Sequence, residues 1–183
     1  MTQPTIRRAT LEDVPAIQAI YAPYVRDSMA TFETTPPDVD EMRERIASLL
    51  DGGYPVLVAE SDGRIAGYAY AGPFHKRAAY RPTVENSVYV DSSVRRGGLG
   101  RALMDHLITE ASNRQFRQMI AVITSGPDRS SEAFHRSLGF QEMGKVRSVG
   151  WKFGRWLDIA YYQLSLGEGD QAGPSETGGA SPY

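Results

Sequence analysis

Arg95, Gly98 and Gly100 close a β-branched and aromatic run, Ser87 to Val90, and lead into Leu99, Ala102, Leu103 and Leu107 at helical spacing. A strand, a glycine turn and a helix start together aim backbone N–H groups at an anion, because the first helical turn leaves its donors without acceptors. Arg95, Arg96 and Arg101 surround this turn in a chain whose net charge is -2. Cations oppose the macrodipole at a helix N-terminus, so three of them there ask for a bound anion. Two phosphate-binding fingerprints fail at this turn. The dinucleotide pattern needs Gly or Ala where Leu103 stands, and the Gly-Lys-Ser/Thr of the nucleotide P-loop is absent. Arg/Gln-x-x-Gly-x-Gly/Ala is satisfied, by Arg95, Gly98 and Gly100.

The 183 residues, 41% hydrophobic and 23% charged, suffice for one domain with a core. Leu11, Val14, Ile17, Ile20, Tyr21 and Tyr24 recur at steps of three and four, which predicts a first helix. Asp38 and Glu41 start a second, which Asp51-Gly52-Gly53 stops. Pro55 to Ala59 and Arg64 to Ala71 read as strands joined by an Asp62-Gly63 turn. An irregular basic stretch, Phe74 to Thr83, precedes a strand over Val84 to Val90. Beyond the glycine turn come a helix to about Arg114, a strand over Met119 to Ile123, and a short helix over Ser130 to Leu138. Strands are expected around Val146 and over Leu157 to Leu164, with Gly150 to Trp156 as an aromatic-rich loop between them. The order β-α-α-β-β-β-α-β-α-β-β predicts an α+β fold, a mixed but mostly antiparallel central sheet flanked by helices. Residues 1–166 form its single domain. The Gly-, Ser- and Pro-rich residues 167–183 read as a disordered tail.

Several classes of function are disfavoured. Cysteine is absent, which removes disulfides, thiolate metal sites and a cysteine nucleophile. His75, His106 and His135 lie too far apart in sequence to suggest a metal site. The acidic balance argues against nucleic acid as a partner. No apolar run approaches the roughly 20 residues that span a bilayer. The amino terminus lacks the features of a secretory signal, so a cytoplasmic protein is expected.

A second pattern, Asn-x-x-Ser/Ala-x-x-Leu-Tyr-x-x-x-Gly-Phe, has its register held by Asp128, Ser131, Phe134, His135, Gly139 and Phe140. Asp128 replaces the Asn, and His135 stands where a Tyr is usual. With the glycine turn, these residues make the chain resemble the GNAT N-acetyltransferases. Tyr70 to Phe74, Thr83 to Val90 and Lys152 to Asp158 are similar to the phosphinothricin and methionine sulfone or sulfoximine acetyltransferases of that family. The likeness spans nearly all of residues 5–166. It implies the GNAT fold, acetyl-CoA as co-substrate, no metal, a small amino-acid-like acceptor and a homodimer.

The implied reaction is attack of a primary amine on the thioester of acetyl-CoA. The amine must lose a proton, the tetrahedral oxyanion needs donors, and the leaving thiolate gains from protonation. Without cysteine, direct transfer in a ternary complex is the simplest scheme. Glu85 is the expected general base, directly or through water, since partial burial beside Val84 would raise its pKa. Its alternative is a strand carboxylate paired with Arg77 or Arg81. His135 is expected to protonate the thiolate or relay the amine proton; its alternative is a structural histidine. The donor is expected on Val88, Tyr89 and Val90, on Arg95, Arg96, Gly97, Gly98, Leu99, Gly100 and Arg101, and on Asp128 and Ser131. Phe32, His75, Lys76, Arg77, Tyr80, Arg81 and Thr83 are the expected acceptor pocket, where a cationic loop suits a carboxylate and an oxyanion. Trp151, Lys152, Phe153 and Trp156 either border that pocket or pack in the core and an interface. Two other readings compete: a protein or peptide N-acetyltransferase, which needs an open groove, and a non-catalytic acyl-CoA-binding module, which can dispense with Glu85 and His135.

Overall fold

The computed structural model describes residues 4–94, 98–126 and 128–174. Its elements are β1 (Thr5–Arg8), α1 (Val14–Asp27), α2 (Val39–Asp51), β2 (Val56–Ser61), β3 (Arg64–Pro73) and β4 (Thr83–Val90), followed by α3 (Leu99–Asn113), β5 (Gln118–Ser125), α4 (Ser130–Ser137), β6 (Gln141–Lys152) and β7 (Arg155–Ser165). The expected order of strands and helices is the observed one. The strands lie side by side as β1-β2-β3-β4-β5-β7-β6, and only β4 and β5 run parallel. That parallel pair is joined through α3, as a parallel connection requires.

Alternation along each strand divides the sheet's two faces. Leu57, Ala59, Ala69, Ala71 and Val84 pack with Leu99, Leu103, Met104 and Leu107 of α3, and Phe134 and Leu138 of α4 join this cluster. Val56, Val58 and Tyr68 turn the other way, onto Ile17, Tyr21 and Val25 of α1 and Met42 and Ile46 of α2. The start of α1 is fixed by Asp13, whose carboxylate accepts from the Thr10 N–H at 2.8 Å. Arg7 grips the same carboxylate at 2.7 and 2.8 Å, so strand and helix start are tied together.

One expectation is corrected. Gly150 to Trp156 is a β-hairpin rather than a loop, with Trp151 opposite Trp156 and Lys152 opposite Arg155. The turn residues Phe153 and Gly154 have φ of 52° and 71°, the positive values that a tight hairpin turn with a matching twist demands. β6 is the edge of the sheet and is exposed along nearly its whole length. It therefore lacks the in–out alternation that marks a half-buried strand. Beyond β7 the chain is described to Pro174, and the Arg117 guanidinium holds this stretch through Glu168 at 3.1 Å and the Gly173 carbonyl at 3.2 Å.

Candidate active site

The sheet opens in the middle. Between β4 and β5 the ladder covers only Thr83–Glu85 against Gln118–Ile120, yet both strands continue for five residues more. Beyond Glu85 the two strands diverge. The Asp91 N–H still bonds across to the Ala66 carbonyl by β3. By antiparallel alternation, the N–H and C=O groups of Asn86, Val88 and Val90 therefore point away from β3, into the gap. A cleft of about 950 Å³ occupies the opening, lined by Asn86 to Val90, Ala121 to Thr124, the start of α3 and the start of α4.

The start of α3 forms one end. Gly98 has φ 76°, a left-handed conformation that costs a side-chain-bearing residue about 1 kcal/mol or more. Its carbonyl accepts the first helical bond, from the Ala102 N–H at 3.0 Å. The N–H groups of Leu99, Gly100 and Arg101 precede that bond and have no acceptor within the helix. Gly98, Leu99, Gly100 and Arg101 all line the cleft, as does Asp128. Asp128, just ahead of α4, accepts from the Ser130 N–H at 2.9 Å, which lowers its pKa. Arg95, Arg96 and Gly97 lie outside the described residues.

Val88 and Tyr89 sit on the cleft wall as expected, but the Val90 main chain already has a partner. The Tyr24 hydroxyl of α1 donates to the Val90 carbonyl at 2.7 Å and accepts from its N–H at 3.2 Å. Sequence reasoning gave Tyr24 no role in the site. An extended ligand that pairs with β4 at Val90 must share or displace this hydroxyl.

His135 is 5% exposed, between the rings of Phe134 and Phe140. Its Nδ1 lies 2.8 Å from the Ser131 carbonyl, and a carbonyl oxygen only accepts, so Nδ1 carries the proton. Nε2 then offers its lone pair to the Asn86 amide, at 3.2 Å. Burial pushes the histidine pKa down, against a smaller upward pull from the Ser131 carbonyl. The imidazole is thus neutral near pH 7, and its one proton is committed to the backbone. Asn86 is buried too, and its Oδ1 has no hydrogen-bond partner among the described residues. A buried acceptor left alone is costly, so it marks a place where a ligand N–H is wanted. The sequence carried a signal for it: Asn86 sits on the apolar side of β4, between Val84 and Val88.

Glu85, Ser87 and Tyr89 alternate onto the opposite side of β4, facing α1. Glu85 stands where the β4–β5 ladder ends, opposite Gly72 and Ile120. Burial raises its pKa, and neither Arg77 nor Arg81 pairs with it among the described residues. That is the condition of a candidate base rather than of a structural ion pair.

The expected acceptor residues divide. His75, Lys76, Arg77, Tyr80 and Arg81 form an exposed loop in which His75 stacks on Tyr80 at 4.8 Å. None of them, nor Thr83, lines the cleft. Phe32 packs on Gly150, where an added Cβ would fall 2.0 Å from its ring. The cleft wall nearest the Glu85 side is built instead from Ser28, Met29 and Ala30 and, across from them, Phe153 and Arg155. Arg155 is exposed on this wall, a cation that the sequence reading had not placed there.

The acetyltransferase (GNAT) domain family matches residues 6–160. A phosphinothricin N-acetyltransferase of Alcaligenes faecalis is 45% identical over 170 residues, covering 93% of this chain and 86% of the relative. An L-methionine sulfoximine/L-methionine sulfone acetyltransferase of Pseudomonas aeruginosa is 40% identical over 163 residues, covering 88% and 94%. Among solved structures, a GNAT superfamily phosphinothricin acetyltransferase from Sinorhizobium meliloti, in complex with AcCoA, superposes with a TM-score of 0.92. Its identity is 43%, and the match covers 97% of this chain and 96% of that one.

Proposed function

Because the chain belongs to the GNAT acetyltransferase family, we propose that it transfers acetyl from acetyl-CoA to the amine of a small amino-acid-like acceptor of the phosphinothricin, methionine sulfone or methionine sulfoximine kind. The observation that carries this reading is the opened β4–β5 gap with α3 starting at one end. A pantetheine arm has amides to pair with the main chain of β4, and a pyrophosphate suits the bare N–H groups at the start of α3. Asn86 Oδ1 is one more acceptor beside that arm.

In this scheme Glu85, on the α1 side, takes a proton from the ammonium directly or through water. The freed amine attacks the thioester carbonyl from the same side. The tetrahedral oxyanion collapses, the C–S bond breaks, and the second proton of the attacking nitrogen passes within the site to the leaving thiolate. His135 protonates a thiolate only after gaining a second proton at Nε2, which ends the Asn86 amide bond. That added step makes orienting Asn86 the first duty of His135 and proton donation the second. The acceptor's carboxylate suits a guanidinium such as Arg155, already on the wall. The reaction belongs in the cytoplasm on this reading, where acetyl-CoA is available.

The test is thiol release from acetyl-CoA with phosphinothricin, methionine sulfone, methionine sulfoximine and a basic peptide as acceptors. Release is expected with at least one of the amino-acid analogues and not with the peptide. The reverse pattern would replace this reading with the peptide acetyltransferase, and no release with any amine would leave an acyl-CoA-binding module.

The partner is a second copy of the same chain. Edge strand β6 and its hairpin expose Met143, Val146, Val149, Trp151, Phe153 and Trp156, an apolar surface that a lone soluble chain seldom keeps. Two copies related by a twofold axis would cover it with itself. Sedimentation at micromolar concentration should give a dimer, and Trp156→Glu should give a folded monomer; a monomeric unmodified protein would end the proposal.

A further inference from the structure

Lys152 is 4% exposed, which is rare for lysine, and its ammonium has no carboxylate within ion-pair distance among the described residues. Nζ donates instead to two carbonyls, Ser28 and Thr31, both at 2.8 Å. It also lies 5.0 Å from the centre of the Phe153 ring. Taking an ammonium out of water is costly unless it is well bonded, and burial does depress its pKa. An apolar side chain would fill the same volume at less cost. What the ammonium adds is direction: it ties together two carbonyls three residues apart.

Those carbonyls belong to the α1–α2 loop. Ser28 is the C-cap of α1, where carbonyls lack helical partners. The loop's other polar bonds run within itself and to the two helices: Ser28 Oγ to the Tyr24 carbonyl, the Ala30 N–H to Ser28 Oγ, the Glu33 N–H to Thr31 Oγ1, the Tyr21 hydroxyl to Thr31 and Glu33, and Arg45 to Glu33. Such bonds fix the loop on α1 and α2 without fixing where it lies against the β6–β7 hairpin. Lys152 fixes it, helped by Phe32 seated on Gly150 and by the Arg155 guanidinium against the Met29 sulfur. The Ser28 to Ala30 side of this contact and the Phe153 and Arg155 side then form one continuous cleft wall. It lies on the side of β4 that carries Glu85, opposite the starts of α3 and α4.

We propose that Lys152 is a positioning residue for the acceptor, clamping the α1–α2 loop onto the β6–β7 hairpin so that the acceptor wall keeps its shape. The proposal rests on the small-amine reading above. It separates the two substrates physically, because the donor's contacts lie on β4, α3 and α4 and owe nothing to the clamp.

The test uses the full chain and two variants. Lys152→Met keeps the stem and removes the ammonium. Gly150→Ala leaves the lysine intact and pushes Phe32 off its seat. Each should raise the KM for the acceptor by about 10-fold, because small misplacements of a positioning wall are amplified in rate. The KM for acetyl-CoA should stay within about twofold. Hydrogen exchange of the amides of residues 30–33 should quicken in Lys152→Met, while exchange in β4 and α3 stays put. Unchanged exchange in the loop overturns the clamp whichever amine is used. Faster exchange with an unmoved acceptor KM overturns the acceptor role, as does an equal rise in both KM values. An unmodified enzyme that turns over no small amine defeats the acceptor reading instead, and the exchange measurement then decides the clamp alone.

Discussion

Glu85→Gln is expected to lower kcat by about 100-fold or more and to remove the acidic limb of the pH profile. The carboxyl is half-buried where β4 and β5 part, and that burial raises its pKa from the ordinary value. In the unmodified enzyme activity should therefore fall as pH drops through that raised value, since the base becomes protonated. The glutamine variant has no such base, and its residual rate should climb with pH as free amine accumulates. Stability should move the other way. A folded-state pKa above the unfolded one means that the ionised carboxylate costs stability, nothing below the unfolded value and the full amount above the folded one. Near neutral pH Glu85→Gln should thus melt no lower than the parent, which separates lost chemistry from lost fold. A kcat within threefold of the parent with the same pH profile would take Glu85 out of the mechanism.

Gly98→Glu should raise the KM for acetyl-CoA by about 30-fold, roughly 2 kcal/mol, while leaving the acceptor KM nearly unchanged. A Cβ at Gly98 would meet nothing within 4 Å, so the substitution makes no clash. It places a carboxylate at the start of α3, where it competes for the same N–H groups and repels a pyrophosphate. The left-handed φ of 76° adds a strain of its own. Gly98→Asn measures that strain alone, because asparagine tolerates this conformation and brings no charge. The gap between the two variants should narrow as salt is added, since exposed charges are screened. An unaltered KM in Gly98→Glu would move the anion site away from α3.

The two main predictions differ in how far the sequence foresaw their grounds. The turn at Gly98 is local: its strand, its left-handed residue and its helix are neighbours in the chain, and the pattern of types reports the geometry. Glu85 was foreseen as a strand carboxylate, but its freedom from Arg77 and Arg81 depends on which way the exposed 75–81 loop lies. His135 was placed in register, whereas the direction of its proton was not. That direction is set by the Ser131 carbonyl on its own helix and by Asn86, 49 residues away. Both strands of the β6–β7 hairpin are legible, but Gly150 to Trp156 reads as a loop because an exposed edge strand shows no alternation and because Phe153-Gly154 is an unusual pair for a tight turn.

The sequence by itself determined the order of elements, the glycine turn that opens α3 and the absence of a cysteine nucleophile, because periodicity, φ preference and composition act within a few residues. Only the tertiary structure decided where β4 and β5 part, which face of β4 carries Glu85, and which residues wall the cleft on that side. Lys152 reaches the Thr31 carbonyl across 121 residues of chain, and Phe32 finds its seat on Gly150 through the same contact. A buried ammonium holding two distant carbonyls leaves no periodic trace in a sequence, since its geometry exists only once the hairpin and the loop have met.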